Sequence, residues 1–428
     1  MQTYASKAQR DRLIGFLLPV LARTGRSERR KWGAFWVQGL LMEGGRKTAA
    51  GIASRNGGDA QALQQFVNQS PWDWAPVRAV LAENCVARMS TRCAWVIDDT
   101  GFPKKGDKSV GVARQYSGTL GKVGNCQIGV SLNYATDEGC IPLDFELYLP
   151  EGWAQDGQRR KDAGVPGWVQ FKEKWRLSIG MIEAALGLKV PRGIVVADAG
   201  YGNVGDFRSE LRRLQLSYVV GVSPETGVYL TEQSMPEAEQ GSTGRPRTRH
   251  HNLPKPLSLP EVAAKLEAEN WKRVVWRQGT KGELRSRFAA VRAQPSHGHN
   301  QKHVNDVMGR LLIEWPEAEP EPTKYWISNL GINAEIRDLV YWAKIRWWVE
   351  QNNQQLKQEV GLTHFEGRTW TGWHHHVTLC MMAFDFLVME SLRVKKNFWV
   401  DAAESETGNA GDAELDAWLL PYLQAKAP

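Results

Sequence analysis

Residues 93–101 read Cys-Ala-Trp-Val-Ile-Asp-Asp-Thr-Gly, an apolar run followed by two aspartates. The apolar run, residues 94–97, is short and bounded by polar residues, which predicts a buried β-strand. A second short apolar run, residues 194–197, is followed directly by Asp198. Because an ionised carboxylate is costly to bury unless it is paired or bound to a metal, each acidic group is expected at the rim of a sheet. Two strand-end carboxylates from neighbouring strands are able to hold a divalent cation such as Mg²⁺.

The segments around these two strands alternate between strand and helix patterns. Strand-like runs lie at 109–116, 126–135, 141–149 and 217–222, separated by clusters of Gly, Asn and Asp, and helical periodicity marks 168–186 and 206–214. This order predicts an α/β core whose first strands form an antiparallel meander.

The chain is predicted to divide into four parts. Residues 1–90 are predicted to form a helical N-terminal domain for DNA binding or dimerisation. The core is predicted at 91–223 and 324–395, and a β-rich insertion at 224–323 separates its two pieces. That insertion contains polar, basic or His-rich loops at 241–260 and 295–305. Residues 396–428 form an acidic C-terminal tail, part of which is expected to be disordered.

Charge is unevenly distributed along the chain. The 428 residues include 54 Lys and Arg against 47 Asp and Glu, a net charge of +7. Residues 1–60 hold eleven basic and four acidic residues, so their net charge of +7 equals that of the whole chain. Residues 401–428 hold six acidic residues and one lysine. A basic N-terminal region is typical of a protein that binds a polyanion, and a solvated charged face is the alternative.

One short segment of this basic region has the pattern of a helix–turn–helix. Arg46-Lys47 and Arg55 lie on either side of Thr-Ala-Ala-Gly-Ile-Ala-Ser, and Gly57-Gly58 follows. The pattern fits a DNA-reading element, and it fits a helical support or dimerisation element equally well.

Composition disfavours several classes of protein. Hydrophobic residues make up 42% and charged residues 24%, which are globular values and not those of a disordered or fibrous chain. No apolar run approaches the ~18 residues of a membrane helix, and no secretion signal is recognisable, so a cytoplasmic location without a membrane partner is expected. The five cysteines are odd in number and lack C-x-x-C spacing, which disfavours a zinc ribbon and a disulfide framework.

Residues 334–359 are predicted to form one long helix. Within it, Arg346, Glu350 and Lys357 are spaced R-x3-E-x6-K, which brings their side chains to one stripe of an α-helix. Arg and Glu four residues apart also form ordinary surface ion pairs. Because the flanking residues are strongly apolar, a charged stripe here indicates a polar ligand or an internal ion pair.

These features together resemble the DDE transposases of bacterial insertion sequences, whose catalytic core is ribonuclease-H-like. The resemblance lies in the strand–Asp, strand–Asp, helix–Glu order and in the phrases at 97–106 (IDDTGFPKKG), 111–132, 196–202 (VADAGYG) and 361–376. It covers roughly residues 30–395. The R-x3-E-x6-K stripe is similar to the Tyr-Arg-Glu-Lys signature of one subgroup, although Ala343 occupies the position of the tyrosine.

The resemblance implies a metal-dependent enzyme that cleaves transposon ends and joins the freed 3′-hydroxyl to target DNA. Its catalytic metal ligands would be Asp99, Asp198 and Glu350, with Mg²⁺ as the cofactor and Mn²⁺ as a substitute. Asp99 is preferred because the family's Asp usually directly precedes Thr, and Asp98 is the alternative. The residues implied to contact DNA are Lys104, Lys105, Arg346, Trp347 and Lys357. The two lysines fit an ordinary surface nearly as well, and Trp347 fits a core position.

The implied partners are double-stranded DNA, as transposon end and as target, and further copies of the chain in a homodimer or higher oligomer on DNA. The implied location is the bacterial cytoplasm, at the nucleoid when the protein is bound to DNA. Two other functions stay open: a ribonuclease-H-like nuclease without strand transfer, and a domesticated transposase that acts as a sequence-specific DNA-binding protein.

Three consecutive histidines, 374–376, invite a metal-binding interpretation. Consecutive side chains of a helix point about 100° apart, so the three are not expected to bind one ion. We expect one in the core, one in solvent, and one near DNA or the surroundings of Glu350.

Overall fold

The computed structural model describes residues 7–118, 121–231, 254–279, 282–296 and 306–404, with side chains up to residue 395. Most of the predicted basic loop at 241–260, the polar stretch at 297–305 and the acidic tail from residue 405 lie outside the described residues. The described residues fall into two compact units, the first within 1–93, 98–191 and 347–427 and the second within 94–97 and 192–346. This division cuts across the predicted domain boundaries, which stay a prediction.

The helices in chain order are α1 Lys7–Leu21, α2 Ser27–Leu41, α3 Ala49–Asn56, α4 Ala60–Asn68, α5 Trp74–Val86, α6 Glu151–Gln155, α7 Gly157–Asp162, α8 Lys174–Gly187, α9 Ala199–Gly202, α10 Gly205–Arg213, α11 Leu259–Ala264, α12 Ile336–Lys344, α13 Trp347–Gln355 and α14 Trp370–Glu404. A π-helical turn, Leu356–Val360, extends α13, and short 3-10 turns occupy Ala22–Thr24, Ala268–Asn270 and Leu362–His364.

The strands are β1 Ala94–Pro103, β2 Ala113–Ser117, β3 Lys122–Ala135, β4 Cys140–Leu147, β5 Ile194–Ala197, β6 Tyr218–Val222, β7 Gly227–Tyr229, β8 Leu257–Ser258, β9 Lys272–Gly279, β10 Gly282–Pro295, β11 Gly309–Trp315 and β12 Lys324–Ser328.

The core of the first unit forms around α14. Every residue from 372 to 392 is buried, and the helix packs against β4 and against α2, α4 and α5. A helix with apolar side chains on every face is stable in water only when neighbours cover it on all sides. The N-terminal helices provide much of that cover, so they share a core with α14.

Arg78 on α5 connects three elements of this core. The side chain is 3% exposed; Nε donates to Thr378 Oγ1 at 2.8 Å and Nη1 donates to Asp144 Oδ1 at 2.7 Å. Nη1 also donates to the carbonyl of Phe145, and Nη2 donates to the carbonyl of His374 at 3.2 Å. A buried guanidinium needs such complete pairing because its desolvation is costly.

The sheet of the first unit is antiparallel around β3. That strand pairs with β2 through Ala113↔Cys126 to Ser117↔Lys122 and with β4 through Gly129↔Leu147 to Ala135↔Cys140. It also lies beside β1. This is the predicted meander.

The second unit contains the parallel strands. The first residues of β1 pair in parallel with β5, in the register Ala94↔Ile194 to Val96↔Val196, and β5 pairs in parallel with β6. β6 continues antiparallel into β12, β11 and β10, and β10 pairs further with β9 and β7. The predicted α/β class with a helical N-terminal region is confirmed.

The predicted helix at 334–359 is wrong as a single element. α12 ends at Lys344 and α13 begins at Trp347. Trp342 and Trp348 are six residues apart, about 240° around a continuous helix, yet they are only 7% and 6% exposed. The interruption lets α12 bury its apolar face in the second unit and α13 bury its own in the first.

Two other local predictions also need correction. α8 begins at Lys174, not at residue 168, because the chain turns at Pro166, whose carbonyl accepts from the amide of Val169 at 3.1 Å. The pattern also fails to mark β11, although its residues 311–313 are fully buried.

Polar and thiol groups of the first unit are more deeply buried than the sequence indicates. All three histidines at 374–376 are at most 1% exposed, so the expectation that one faces solvent is wrong. The cause is the complete covering of α14. All five cysteines are buried and free.

In the described part of the chain no helix has the length and apolarity to cross a membrane.

Candidate active site

Asp98 lies in the middle of β1, between the buried residues 94–97 and 100–102, so the expectation that the strand ends directly before it is wrong. The preceding residues 94–97 are fully buried, whereas Asp98 is half-buried. Its carboxylate Oδ2 accepts a hydrogen bond of 2.9 Å from Asn353 Nδ2 on α13. Its backbone carbonyl accepts from Ser131 Oγ on β3 at 3.2 Å. The carboxylate therefore faces α13.

Asp99 faces a different neighbour. Successive side chains of a strand point to opposite sides of the sheet, so Asp99 does not share the direction of Asp98. Its carboxylate forms an ion pair with Lys174 Nζ, at the first residue of α8, and the two side chains are 20% and 40% exposed. This pairing provides a structural role for Asp99.

One face of α13 presents Glu350, Asn353 and Lys357. Positions three and four apart on a helix are neighbours, so these three residues form a continuous stripe into the π-helical turn. Glu350 is exposed in the first turn of α13, and Asn353 contacts Asp98. Burial lowers the pKa of Lys357 to about 8, and the carboxylate of Asp98 opposes that shift. The stripe thus places an acid, an amide and an amine on one side of the helix.

In the second unit, Asp198 follows the last residue of β5. It caps the N-terminus of α9, where its Oδ1 accepts from the amide of Gly200 at 2.9 Å. The side chain is half-buried. Such a position at the carboxyl end of a parallel strand is where open α/β sheets bind ligands.

Arg346 and Trp347 occupy the interruption between α12 and α13. Arg346 lies in the turn and is half-exposed, and Trp347 is the first residue of α13. The Trp347 ring stacks on that of Trp348, with centroids 4.3 Å apart and an angle of 26° between the planes. Because the helix is interrupted here, Arg346 and Glu350 do not belong to one regular helical stripe.

Lys104 and Lys105 differ in their surroundings. Lys104 Nζ donates to the carbonyl of Phe365 at 2.8 Å, whereas Lys105 is exposed. Burial lowers the pKa of Lys104 to about 8; Arg46 adds to that shift and Glu366 opposes it. Lys104 is therefore anchored to the segment that follows α13.

The carboxylates fit a divalent metal by their chemistry. Carboxylate oxygen is the ligand that Mg²⁺ prefers, and two or three such groups suffice because the ion keeps several waters. Within the described residues, no three His, Cys, Asp or Glu side chains lie together in a group able to hold an ion. Two observations therefore support a divalent metal. The side chains offer carboxylate oxygens as ligands, and the two strands that precede the aspartates pair in parallel with Val96 opposite Val196.

Two residues of this site are absent from the sequence analysis. Asn353 is recognisable only from the polar run Asn-Asn-Gln-Gln at 352–355, which interrupts a buried helix. Lys174 gives no sequence pattern, since its partner Asp99 lies 75 residues away along the chain.

Comparison with known proteins places the chain among DNA-processing enzymes. A family model described as "DDE superfamily endonuclease" matches residues 19–283. A probable transposase for insertion sequence element IS701 of Microchaete diplosiphon is 26% identical over 332 residues, which cover 76% of this chain and 74% of the relative. The cryo-EM structure of the piggyBac transposase synaptic complex with hairpin DNA matches with a TM-score of 0.43 and 11% identity, covering 99% of this chain and 83% of that chain.

Proposed function

Because the chain belongs to the DDE superfamily of endonucleases, we propose that it is a DNA transposase that cleaves transposon ends and joins the freed 3′-hydroxyl to target DNA. Membership of the DDE enzymes, predicted from the motifs around the acidic residues, is confirmed by the family match. The Tyr-Arg-Glu-Lys subgroup stays a prediction. The observation that supports the proposal is the presence of acidic residues in the middle of β1, directly after β5 and in the first turn of α13.

For the first acidic residue we propose Asp98 in preference to Asp99. Val96 and Val196 are register partners on parallel strands, and Asp98 and Asp198 each follow by two positions. An offset of two returns a strand side chain to the same face, so Asp98 lies on the face of β1 that Val96 occupies, and Asp99 lies on the other. The contact of Asp98 with Asn353 on the helix of Glu350 supports the same choice.

Asp98, Asp198 and Glu350 are the residues that would hold Mg²⁺, or Mn²⁺ in its place. Metal ions bound there would activate the attacking oxygen and stabilise the leaving oxygen of the phosphodiester. The chain's own residues prepare this chemistry: Asn353 fixes the orientation of the Asp98 carboxylate, and the Gly200 amide fixes that of Asp198. The residues that precede both aspartates, 94–97 and 195–197, are buried, which anchors the backbone beside each carboxylate.

The proposed DNA contacts follow from charge and exposure. Lys357 on the α13 stripe and Arg346 in the turn before it are proposed to bind phosphates beside the cleaved bond. Exposed Lys105 is proposed as a flanking contact, whereas Lys104 is proposed to act through its bond to Phe365. Trp347 is proposed to pack beside a displaced base. We further propose that two or more copies act together on DNA in the bacterial cytoplasm.

An assay with a labelled duplex copied from the DNA that flanks the gene tests this function. With Mg²⁺ the protein is expected to cut the duplex at the transposon end and to join that end to a supercoiled plasmid. Both products should be lost with EDTA. Cutting without joining would instead identify a nuclease, and binding without cutting would identify a domesticated DNA-binding protein.

A further inference from the structure

The N-terminus of α3 directs unpaired backbone donors toward the surface of the first unit. Thr48 caps the helix: its Oγ1 accepts from the amide of Gly51 at 3.1 Å and its carbonyl accepts from that of Ile52 at 2.8 Å. The first amides of any helix have no acceptor within the helix, so those of Ala49 and Ala50 need one from outside. The helix dipole favours an anion at this position.

Lys47, the residue before this cap, has a largely buried side chain. It is 5% exposed, and its backbone amide donates to His364 Nδ1 at 3.0 Å. Its alkyl chain lies against the backbone of Gly361, where an added Cβ would be 2.6 Å from Lys47 Cγ. No described residue places an acceptor within hydrogen-bond distance of Nζ. Burial, together with the charge of Arg55, lowers the pKa of this amine to about 8, and the carboxylate of Glu43 opposes the shift.

Arg55, near the end of α3, adds a second cation without an acceptor. Its guanidinium folds back toward the start of the helix, since Nη1 would lie 2.6 Å from a Cβ on Gly45 and 3.5 Å from one on Gly51. Its Nε and Nη2 are buried, and neither has a hydrogen-bond partner in the described part of the chain. The nearby pair of Arg46 with Glu366, at 3.3 Å, is exposed on both sides and offers little compensation.

An anion from outside would satisfy all of these donors at once. A largely buried cation without a hydrogen-bond acceptor is unfavourable, so a protein keeps one only where something compensates it. Phosphate matches the donor set, because helix N-termini and basic side chains together are the usual cradle for phosphate oxygens.

We propose that the N-terminus of α3, Lys47 and Arg55 form a binding site for one phosphate of the DNA backbone. This inference rests on the proposed function, which supplies DNA as the partner. The neighbouring helix α4 packs against α3 and exposes Gln61, Gln64 and Gln65, whose amides are suited to base edges in a groove. A duplex that contacted the phosphate site would therefore meet a polar surface beside it.

The site is also joined to the segment that follows the candidate active site. His364 and Gly361 hold Lys47 in place, and Gly361 ends the π-helical turn that contains Lys357. A phosphate bound at α3 would thus be positioned by the same segment that extends from α13.

The test is a titration of labelled duplex DNA in Ca²⁺ or EDTA, followed by fluorescence anisotropy at several salt concentrations. Two probes are used, the transposon-end duplex and a scrambled duplex of equal length. Lys47→Met is compared with Lys189→Met, which removes an exposed lysine of the same unit. We expect Lys47→Met to weaken binding of both probes about tenfold and to reduce the slope of log affinity against log salt by about one. Arg55→Met should act in the same direction, and Lys189→Met should change neither quantity.

The melting temperature separates this role from a structural one. Removing an unpaired buried cation should leave the DNA-free protein at least as stable, so the melting temperature of Lys47→Met should not fall. A fall in melting temperature with unchanged DNA affinity would overturn the proposal. The proposal would also be overturned if inorganic phosphate stabilised the wild type but not Lys47→Met while the two proteins bound DNA with equal affinity. That result would identify a site for free phosphate. A wild-type protein that binds neither duplex would contradict the proposed function itself.

Discussion

The side-chain amide of Asn353 donates a hydrogen bond of 2.9 Å to Oδ2 of Asp98. This bond joins the middle of β1 to the helix that contains Glu350, three residues earlier on the same face. A carboxylate oxygen held in this way has its direction set by the protein. The relationship makes Asn353 a positioning residue for the proposed metal site.

Asn353→Ala is expected to lower the rate of end cleavage by about tenfold or more, because partners that orient metal ligands typically have effects of this size. The Mg²⁺ concentration needed for half-maximal cleavage should rise, while DNA affinity stays unchanged. Gln354→Ala is the matched control, since Gln354 is exposed on the same helix and contacts only Gln358, at 3.3 Å, in the described structure. An unchanged Mg²⁺ requirement in Asn353→Ala would argue against the positioning role.

Lys174→Met is expected to affect stability more than activity. It removes the partner of Asp99, and because the pair is partly exposed the loss should be about 1 kcal/mol or less of unfolding free energy. Denaturant unfolding and end cleavage should be measured on the same preparation. Loss of cleavage at unchanged stability would instead place Lys174 and Asp99 in the active site.

Arg78→Met is expected to destabilise the first unit by about 3–5 kcal/mol, because it leaves the carboxylate of Asp144 and buried carbonyls without their donor. Arg213→Met removes an exposed arginine and should be nearly neutral. Chemical denaturation of both variants checks this. Equal midpoints would show that the bonds of Arg78 contribute little.

Acid should destabilise the protein through α14. Burial lowers the pKa of His376 to about 4, and that of His375 also to about 4, against the usual 6.5. The folded form therefore binds these protons less readily than the unfolded chain. The stability that depends on neutral histidines is complete above pH 6.5 and is lost as the pH falls toward 4, by about 3 kcal/mol for each group.

Melting temperatures between pH 7 and pH 4 measure this loss. His376→Gln should reduce the slope of stability against pH in this range, whatever its effect at pH 7. A slope that is the same in wild type and variant would show that other groups control the acid transition.

The sequence predicts much of this molecule, because its patterns are local. The apolar runs 94–97 and 194–197 mark their strands, and Asp98, Asp99 and Asp198 directly follow them. What local patterns miss depends on distant contacts. The break at Ile345 and Arg346 follows from the burial of tryptophans in two different units, and the roles of Asp98 and Asp99 depend on Asn353 and Lys174, which are remote in sequence.

The most direct test of this account compares Asp98→Asn with Asp99→Asn in the Mg²⁺-dependent end-cleavage assay, with DNA binding measured in parallel. Each change replaces a carboxylate with an amide of nearly the same size, so folding and DNA affinity should be similar in the two proteins. We predict that cleavage and strand transfer fall to background in Asp98→Asn, as they should in Asp198→Asn and Glu350→Gln, and persist in Asp99→Asn. Cleavage that persists in Asp98→Asn and disappears in Asp99→Asn would contradict the account.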